Sequence, residues 1–348
     1  MLNAGMRGYS AARGLVGALK ARAPHPDLVE ELLAMSDAQA CASHLGALPF
    51  VHGIEGADSL AGTEHALRTA CVVFAQRVTR FLTGPASEFL STYLLHYGVY
   101  NVKVLFRAAL SGVKEEGREA LYPIRHLYVP SRERLTLDAP EKVVAFTEGT
   151  RLEKPVKVAY EMYKNSGDLF TFELSLDREY ALMLWEASRA INMAEGQRLR
   201  RSVIVPSLGV NAIVWALWLK THRAMSAEQI MNIVPLPARI IPMDTFVLMV
   251  QAGNFAGVAR MARVGVLARF LARHGTPADV SSWHRLSRRF VWSSINSRGL
   301  SAVFDIATLV STLMKWEFIV DDAITVTAGK AAGLGPDDIV PLLATKAA

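Results

Sequence analysis

The sequence predicts an all-α protein composed of three related helical modules in a funnel-like, pseudo-threefold arrangement. Apolar residues recur at helical spacing along most of the chain, as at Phe89, Tyr93 and Tyr97, which fall on one stripe. Alternating, strand-like runs are short and few, and linkers rich in Ser, Pro and Gly are absent. An internal repeat divides this helical pattern into three copies, and it decides the architecture more than any single helix does.

The repeat is marked by a short polar residue that precedes an apolar helix in each copy. The three positions are Asn101, Asn211 and Asp322, at intervals of 110 and 111 residues. Gly112 and Gly333 share one offset from that polar residue. Each copy then contains a proline flanked by apolar residues, and these prolines are Pro123, Pro235 and Pro341. Because Asn and Asp favour caps, we predict that the repeated residue links two helices; the alternative is a surface residue without a structural role.

This repeat places the modules at residues 1–125, 126–237 and 238–348, each within the ordinary size of a domain. Three similar modules can close into a ring or funnel whose inner surfaces form a central socket. An open superhelix fits the same repeat, so the spacing alone leaves both arrangements open.

The composition indicates a protein with large apolar cores. Of its 348 residues, 51% are hydrophobic, and the mean hydropathy is +0.22. Cys41 and Cys71 lack metal-ligand spacing, which predicts a reducing compartment. The N-terminus has no continuous apolar segment, so we predict no signal peptide. The uncharged stretch Ser202–Leu219 is interrupted by Pro206 and Gly209, which predicts a buried helix entered through a turn and no transmembrane span.

The positive charge, +6 overall, is concentrated in the third module. Asp279 is the one acid between Phe255 and Leu300, and the arginines there are Arg260, Arg263, Arg269, Arg273, Arg285, Arg288, Arg289 and Arg298. Such a surface attracts anionic partners. Aromatic residues are not interleaved for base stacking, so we expect an acidic protein or lipid headgroups and no nucleic acid. The predicted interface residues are Arg285, Arg288, Arg289 and Lys330; the alternative is a solvated face.

The C-terminal stretch from Asp321 to Leu343 contains a Gly-Lys pair but lacks a phosphate-binding loop. Ile324 stands where that loop needs its first glycine, and Ala331 where it needs a hydroxyl. Asp321 and Asp322 suggest a magnesium site of an α-helical enzyme, yet Thr325 replaces the further Asp such sites require. We therefore predict no catalytic, cofactor-binding or metal-binding residue.

Two segments resemble a known family. They are "LDREYALMLWEASRA", residues 176–190, and "KWEFIVDDAITVTAGKAAGLGPDDI", residues 315–339. The second matches the family's C-terminal pattern at Lys315, Gly329, Lys330, Gly333, Leu334 and Ile339. It departs from the pattern at Trp316, Asp322, Ile324 and Asp338. Together with the N-terminal helices, these segments resemble the C subunit of bacterial and archaeal V/A-type rotary ATPases, the equivalent of the d subunit of the eukaryotic vacuolar ATPase.

The resemblance implies a mechanical role in the rotor. Such a subunit is a central-stalk socket that receives the soluble shaft and rests on the membrane proteolipid ring. It couples ATP hydrolysis or synthesis to proton or sodium transport from the cytoplasmic face, as a peripheral protein without a nucleotide site or cofactor. Its implied partners are the shaft subunits, the proteolipid ring and anionic lipid headgroups. The alternative is a helical-repeat scaffold that binds another protein or RNA, although common helical solenoids have periods of about 34 to 47 residues.

Overall fold

In the computed structural model, every regular element among the described residues is helical and none is a strand. The described residues are 10–17, 24–25, 27–51, 54, 60–112, 121–124, 137–234, 243–252, 266–275, 279–297 and 305–346. Over these residues the predicted all-α class is confirmed. Cys41 and Cys71 are both buried, and neither forms a disulfide bond.

The helices are numbered in chain order from residue 27, after a helical segment at residues 10–17. They are α1 (Asp27–Ala34), α2 (Ala38–Gly46), α3 (Leu60–Thr79), α4 (Gly84–Ser111), α5 (Pro140–Phe146), α6 (Glu153–Ser166), α7 (Leu169–Arg189), α8 (Met193–Leu199), a π-helical turn (Arg200–Ile204), α9 (Val205–His222), α10 (Ala227–Ile233), α11 (Met243–Ala252), α12 (Val266–His274), α13 (Val280–Ser297), α14 (Ile306–Ala331), α15 (Pro336–Ile339) and a 3₁₀ turn (Val340–Leu342).

The chain forms two compact units. The first unit comprises Met1–Leu19 and Leu45–Ala187, and the second comprises Lys20–His44 and Ser188–Ala348. The three modules predicted above concern an internal repeat, which this division does not test, and their boundaries stay a prediction.

The first unit is organised around α4, a helix of 28 residues. Pro85 lies in its first turn, where a missing N–H costs nothing, and Gly112 ends it in the left-handed conformation at φ 63°. Phe106 of α4 stacks on Phe172 of α7, with ring centres 3.7 Å apart. Lys103 pairs with Asp177 at 2.6 Å, in the same helix pair.

A second ion pair fixes the direction of these two helices. Arg107, one turn after Lys103 on α4, binds both carboxylate oxygens of Glu173 at 2.6 and 3.0 Å. Glu173 precedes Asp177 by one turn on α7. The two helices therefore run antiparallel, with two charged pairs beside a stacked aromatic pair.

The second unit is organised around α14, a helix of 26 residues. Its N-cap is the buried Asp305, whose carboxylate accepts from the Thr308 N–H at 2.9 Å. The guanidinium of Arg198 also binds one oxygen of Asp305 through Nε and Nη2, both at 2.7 Å. Helix α1 packs against α14 and buries Leu28, Val29 and Leu32. A segment near the beginning of the chain is thus packed on its last long helix.

The apolar stretch predicted to enter through a turn is instead part of one continuous helix, Met193–His222. The prediction of a turn was wrong because a π-helical turn directly before Pro206 lets the helix continue through the proline. The Val205 N–H reaches back five residues to the Arg200 carbonyl, and Pro206 follows in the first turn of α9. Among the described residues this is the one helix long and apolar enough to span a membrane, and 61% of its most apolar window is buried.

Gly329 of α14 lies where α14 meets α15. A Cβ built on Gly329 would lie 2.8 Å from Cγ1 of Ile339, which is fully buried. The Gly-Lys pair therefore contains a glycine because α15 approaches the backbone too closely for any side chain.

We expect the Gly329→Ala substitution to destabilise the protein by about 1–2 kcal/mol, since overpacking outweighs the gain in helix propensity. In an Ile339→Ala background the obstructing atoms are gone, and the same substitution should stabilise by about 0.5–1 kcal/mol. Urea unfolding of the four proteins measures this double-mutant cycle. An equal effect of Gly329→Ala in both backgrounds would contradict the close approach.

Candidate functional site

A buried amide in the middle of α4 holds a distant segment of the first unit. Asn101 is fully buried. Its Nδ2 donates to the Tyr122 carbonyl at 2.8 Å, and the Tyr122 N–H donates to its Oδ1 at 2.9 Å. The amide thereby satisfies both backbone groups of one residue that lies 21 positions further along the chain. We call this pair of hydrogen bonds the amide clasp.

A buried carboxylate in α14 holds the C-terminal segment in the second unit. Asp322 is also fully buried, and it accepts the N–H groups of Ala344 at 3.1 Å and Thr345 at 2.7 Å. The Thr345 hydroxyl donates to the same carboxylate at 2.7 Å. The segment held here lies 22 and 23 positions after Asp322. We call this set of contacts the carboxylate clasp.

The two clasps correct the predicted role of the repeat positions. The prediction of caps that link two helices was wrong, because Asn101 and Asp322 lie inside long helices and bind backbone more than twenty residues away. Asn211 lies inside α9 and is exposed, and it makes no equivalent clasp with any described residue. Gly112 and Gly333 both adopt positive φ, at 63° and 77°, directly beyond the repeated helix.

The clasps also change the alignment of the repeat. Tyr122 corresponds to Ala344, because each N–H binds Oδ1 of the repeated residue. Pro123 then follows the clasped residue by one position, whereas Pro341 precedes it by three. The two prolines are therefore not structurally equivalent; Pro235 lies outside the described residues.

Two arginines predicted to face a partner are engaged within the second unit. Arg288 of α13 lies 3.3 Å from an oxygen of Asp321 and 3.4 Å from one of Asp322. Arg289 donates to the carbonyl oxygens of Leu343 at 3.0 Å and Pro341 at 2.8 Å. Burial lowers the pKa of Arg289, which still carries its charge at neutral pH. Arg289 therefore holds the C-terminal segment directly, and Arg288 binds the carboxylate that holds it; neither role was predicted from the sequence.

The remaining predicted arginines lie in different surroundings. Arg285 is half-buried, and its Nη2 donates to the Ser282 hydroxyl at 3.0 Å. Arg269 and Arg273 are exposed on α12. The arginines outside the described residues are Arg260, Arg263 and Arg298. All three predicted interface arginines are half-buried, and Arg285 is the one for which no contact with α14 or the C-terminal segment is seen among the described residues.

Lys330 caps the C-terminal end of α1. Its Nζ donates to the carbonyl oxygens of Leu33 at 3.1 Å and Met35 at 2.5 Å. The last carbonyls of a helix have no partner inside it, so a lysine there satisfies them and complements the helix dipole. The sequence left open a helix cap or a contact with a shaft, and the structure places Lys330 at the helix end.

The Asp321–Asp322 pair is occupied by donors of the protein itself. Asp322 binds two backbone N–H groups and a hydroxyl, and Arg288 lies against both carboxylates. Divalent cations need converging oxygens that are free to coordinate. Across the described ranges, no group of three metal-ligating side chains is brought together. The geometry therefore opposes the magnesium site that the pair suggested.

A comparison with family models matches residues 12–341 to the ATP synthase (C/AC39) subunit. The chain belongs to that family. It is also 22% identical over 274 residues to the C subunit of the A-type ATP synthase of Methanocaldococcus jannaschii, covering 76% of this chain and 67% of the relative.

Membership in the C/AC39 family confirms the resemblance seen in the sequence. The family is a structural stalk subunit of a V/A-type ATPase, and it is not catalytic. The subunit is thus part of a rotary ATPase and peripheral to the membrane. The clasps hold together a stalk component, and no chemistry is required of their polar residues.

The neutral and charged clasps predict losses of stability of different size when Asn and Asp are exchanged. In Asn101→Asp the new carboxylate faces the Tyr122 carbonyl without a donor, and we expect a loss of about 3–5 kcal/mol at pH 7. Its protonated form can donate to that carbonyl, so its pKa rises in the folded state. Stability should therefore recover as the pH falls toward 5 and be lost as the pH rises.

The reverse exchange, Asp322→Asn, leaves one donor without an acceptor and Arg288 with a weaker partner, and we expect a loss of about 1–3 kcal/mol. The control is Asn211→Asp at the exposed third position, with an expected change within about 0.5 kcal/mol. Urea unfolding at pH 7 and pH 5 measures all three. Similar losses for Asn101→Asp and Asn211→Asp would refute the amide clasp.

Lys330→Met should remove the cap of α1 and destabilise the subunit by about 1–2 kcal/mol, since two carbonyls lose their donor. Thermal unfolding measures the change, with the exposed Lys154→Met as a control that should leave the midpoint unaltered. Recovery of other rotary-ATPase subunits should be unaffected. A Lys330→Met protein with unchanged stability but lost subunit association would show that Lys330 contacts a partner.

Proposed function

We propose that this subunit is the central-stalk adaptor of the rotor, a socket that joins the soluble shaft to the membrane proteolipid ring. It would work from the cytoplasmic face and couple ATP hydrolysis or synthesis to proton or sodium transport. The observation that carries this proposal is the family match across nearly the whole chain, residues 12–341, combined with a repeated helix-and-clasp unit.

Two long helices, each tied by a buried clasp, support an adaptor that transmits torque. Helices α4 and α14 contain 28 and 26 residues, which correspond to about 42 and 39 Å of continuous helix. Each carries a buried clasp in its C-terminal half that ties it to a returning segment. Long helices tied in this way resist bending and sliding, as transmission of torque requires.

The packing of α1 on α14 joins a segment near the beginning of the chain to its last long helix within the second unit. A cation of the C-terminal segment, Lys346, also pairs with Glu30 of α1. Such packing of α14 along a second helix suits a component through which torque passes.

Each of the two repeated helices, α4 in the first unit and α14 in the second, offers a candidate contact surface at its C-terminal end. Leu110 and Leu334 are 39% and 40% exposed, and each lies within two residues of the glycine with positive φ that follows its helix. Exposed leucines at equivalent ends suit an apolar partner surface. We infer that these helix ends contact neighbouring stalk or ring subunits and that Arg285 supplies a charged contact.

The test is recovery of partners from gently solubilised membranes of the native cells with a tagged protein. The wild type should recover shaft and proteolipid subunits, and Leu110→Lys/Leu334→Lys should reduce their recovery about tenfold, because charged groups would be buried at the contact. The control is Met162→Lys on α6, at a methionine that is 42% exposed. Equal thermal stability of both variants would exclude unfolding as the cause.

One result would contradict the rotor role, and another would contradict the contact surface. Recovery of unrelated proteins or RNA by the wild type would favour the alternative of a helical-repeat scaffold. Equal losses with Met162→Lys and with the leucine variant would show that the helix ends are not the contact surface, and the rotor role would then depend on other faces of the protein.

A further inference from the structure

The first unit contains a cleft of about 500 Å³ that neither the clasps nor the proposed partner surface uses. It lies between the end of α3, the first half of α4 and the turn before α6. Its lining residues are Gln76, Thr79, Arg80, Leu82, Ser87, Ser91, Leu94, Leu95, Ile124, Gly149, Thr150 and Arg151. The volume is within the range of about 300–1,000 Å³ typical of small-molecule sites.

The floor of the cleft is aliphatic. It is formed by buried residues of three segments, namely Leu82, Leu94, Leu95 and Ile124. An apolar floor of this kind suits a ligand that carries a hydrocarbon part.

The charged groups at the rim of the cleft are two arginines and one carboxylate, so their net charge is +1. Arg80 and Arg151 are the charged lining residues. Arg151 pairs with Glu88 of α4, which neutralises it. Arg80 is exposed, and among the described residues it has no carboxylate within ion-pair distance. Within the described ranges its charge is unpaired, which suits a ligand with a single negative charge.

The hydrogen-bonding groups at the rim favour a lipid over a peptide. Guanidinium groups only donate, and the hydroxyls of Ser87 and Ser91 can donate as well. A peptide brings backbone donors and acceptors in equal number, and its donors would find acceptors only in neutral oxygens such as the hydroxyls and the Gln76 amide, with no carboxylate among the lining residues. A phosphodiester brings acceptor oxygens and one negative charge, which match these donors.

We propose that this cleft binds one anionic phospholipid, with the phosphodiester on Arg80 and the two serine hydroxyls and an acyl chain on the aliphatic floor. The proposal does not depend on the rotor role. It assigns a lipid contact to the first unit, whereas the sequence suggested the arginines of the third module. Two of those arginines bind groups of their own unit: Arg288 contacts Asp322, and Arg289 donates to the Leu343 carbonyl.

The test uses the full-length protein and dihexanoyl-phosphatidylglycerol below its critical micelle concentration, with binding measured by calorimetry. We expect saturable binding that Arg80→Ala weakens about tenfold, because a charge-assisted hydrogen bond is lost. The matched control is Arg77→Ala, which removes an exposed arginine one turn earlier on α3 that does not line the cleft. It should leave the affinity unchanged.

Three further probes identify the ligand class. Dihexanoyl-phosphatidylcholine tests the charge, glycerol phosphate tests the need for acyl chains, and a short acidic peptide with apolar residues tests a protein partner. Each should bind at least about tenfold more weakly than the phosphatidylglycerol. The phosphatidylcholine has no net negative charge, glycerol phosphate has no acyl chains, and the peptide lacks the phosphodiester oxygens that accept hydrogen bonds. Thermal unfolding of both arginine variants should match the wild type.

Several outcomes would overturn the proposal. Absence of saturable binding would refute the site. Equal weakening by Arg80→Ala and Arg77→Ala would indicate general attraction of anions to α3. Equal affinity for glycerol phosphate would indicate a simple anion site without an acyl-chain contact, and tighter binding of the peptide would assign the cleft to a protein partner.

Discussion

A polar side chain buried inside a long helix needs a hydrogen-bonding partner for each of its groups, and this requirement determines where the protein's chain returns. Asn101 and Asp322 have no exposed surface, and leaving either unsatisfied would cost several kcal/mol. Each takes its partners from backbone that comes back 21 to 23 residues later. The side chain stabilises the segment, and the segment satisfies the side chain, so neither arrangement is stable without the other.

The choice between amide and carboxylate has consequences for the surrounding residues. An amide has a donor and an acceptor, so Asn101 satisfies the N–H and the carbonyl of one residue and needs no counter-charge. A carboxylate only accepts, which explains why Asp322 receives two N–H groups and a hydroxyl. Its buried charge also explains why Arg288 lies against it from α13. The acid of the repeat and the arginine form one charged unit, although 34 positions separate them.

Local patterns in the sequence predicted the helices, the scarcity of strands and the spacing of the repeat, because these depend on periodicity and on residues close in the chain. The partners of Asn101 and Asp322 could not be predicted, since a cap preference describes neighbours and these contacts are distant. The same limit made Arg288 and Arg289 seem available to a partner. A signal was nevertheless present: both repeat residues fall within apolar runs of helical period, where a polar residue is expected to be buried and bonded.

The continuous helix from Met193 to His222 shows a different limit. Pro206 and Gly209 are helix breakers in local statistics, and their presence predicted a turn. A π turn adds one residue to the preceding helical turn, so that Pro206 enters a fresh first turn where its missing N–H has no partner to lose. The buried face of α9 then remains continuous with α8, which a turn would have interrupted. For the proposed torque-transmitting role this continuity matters, because a helix that passes through its proline without a break would transmit force along its whole length, whereas a turn would act as a hinge.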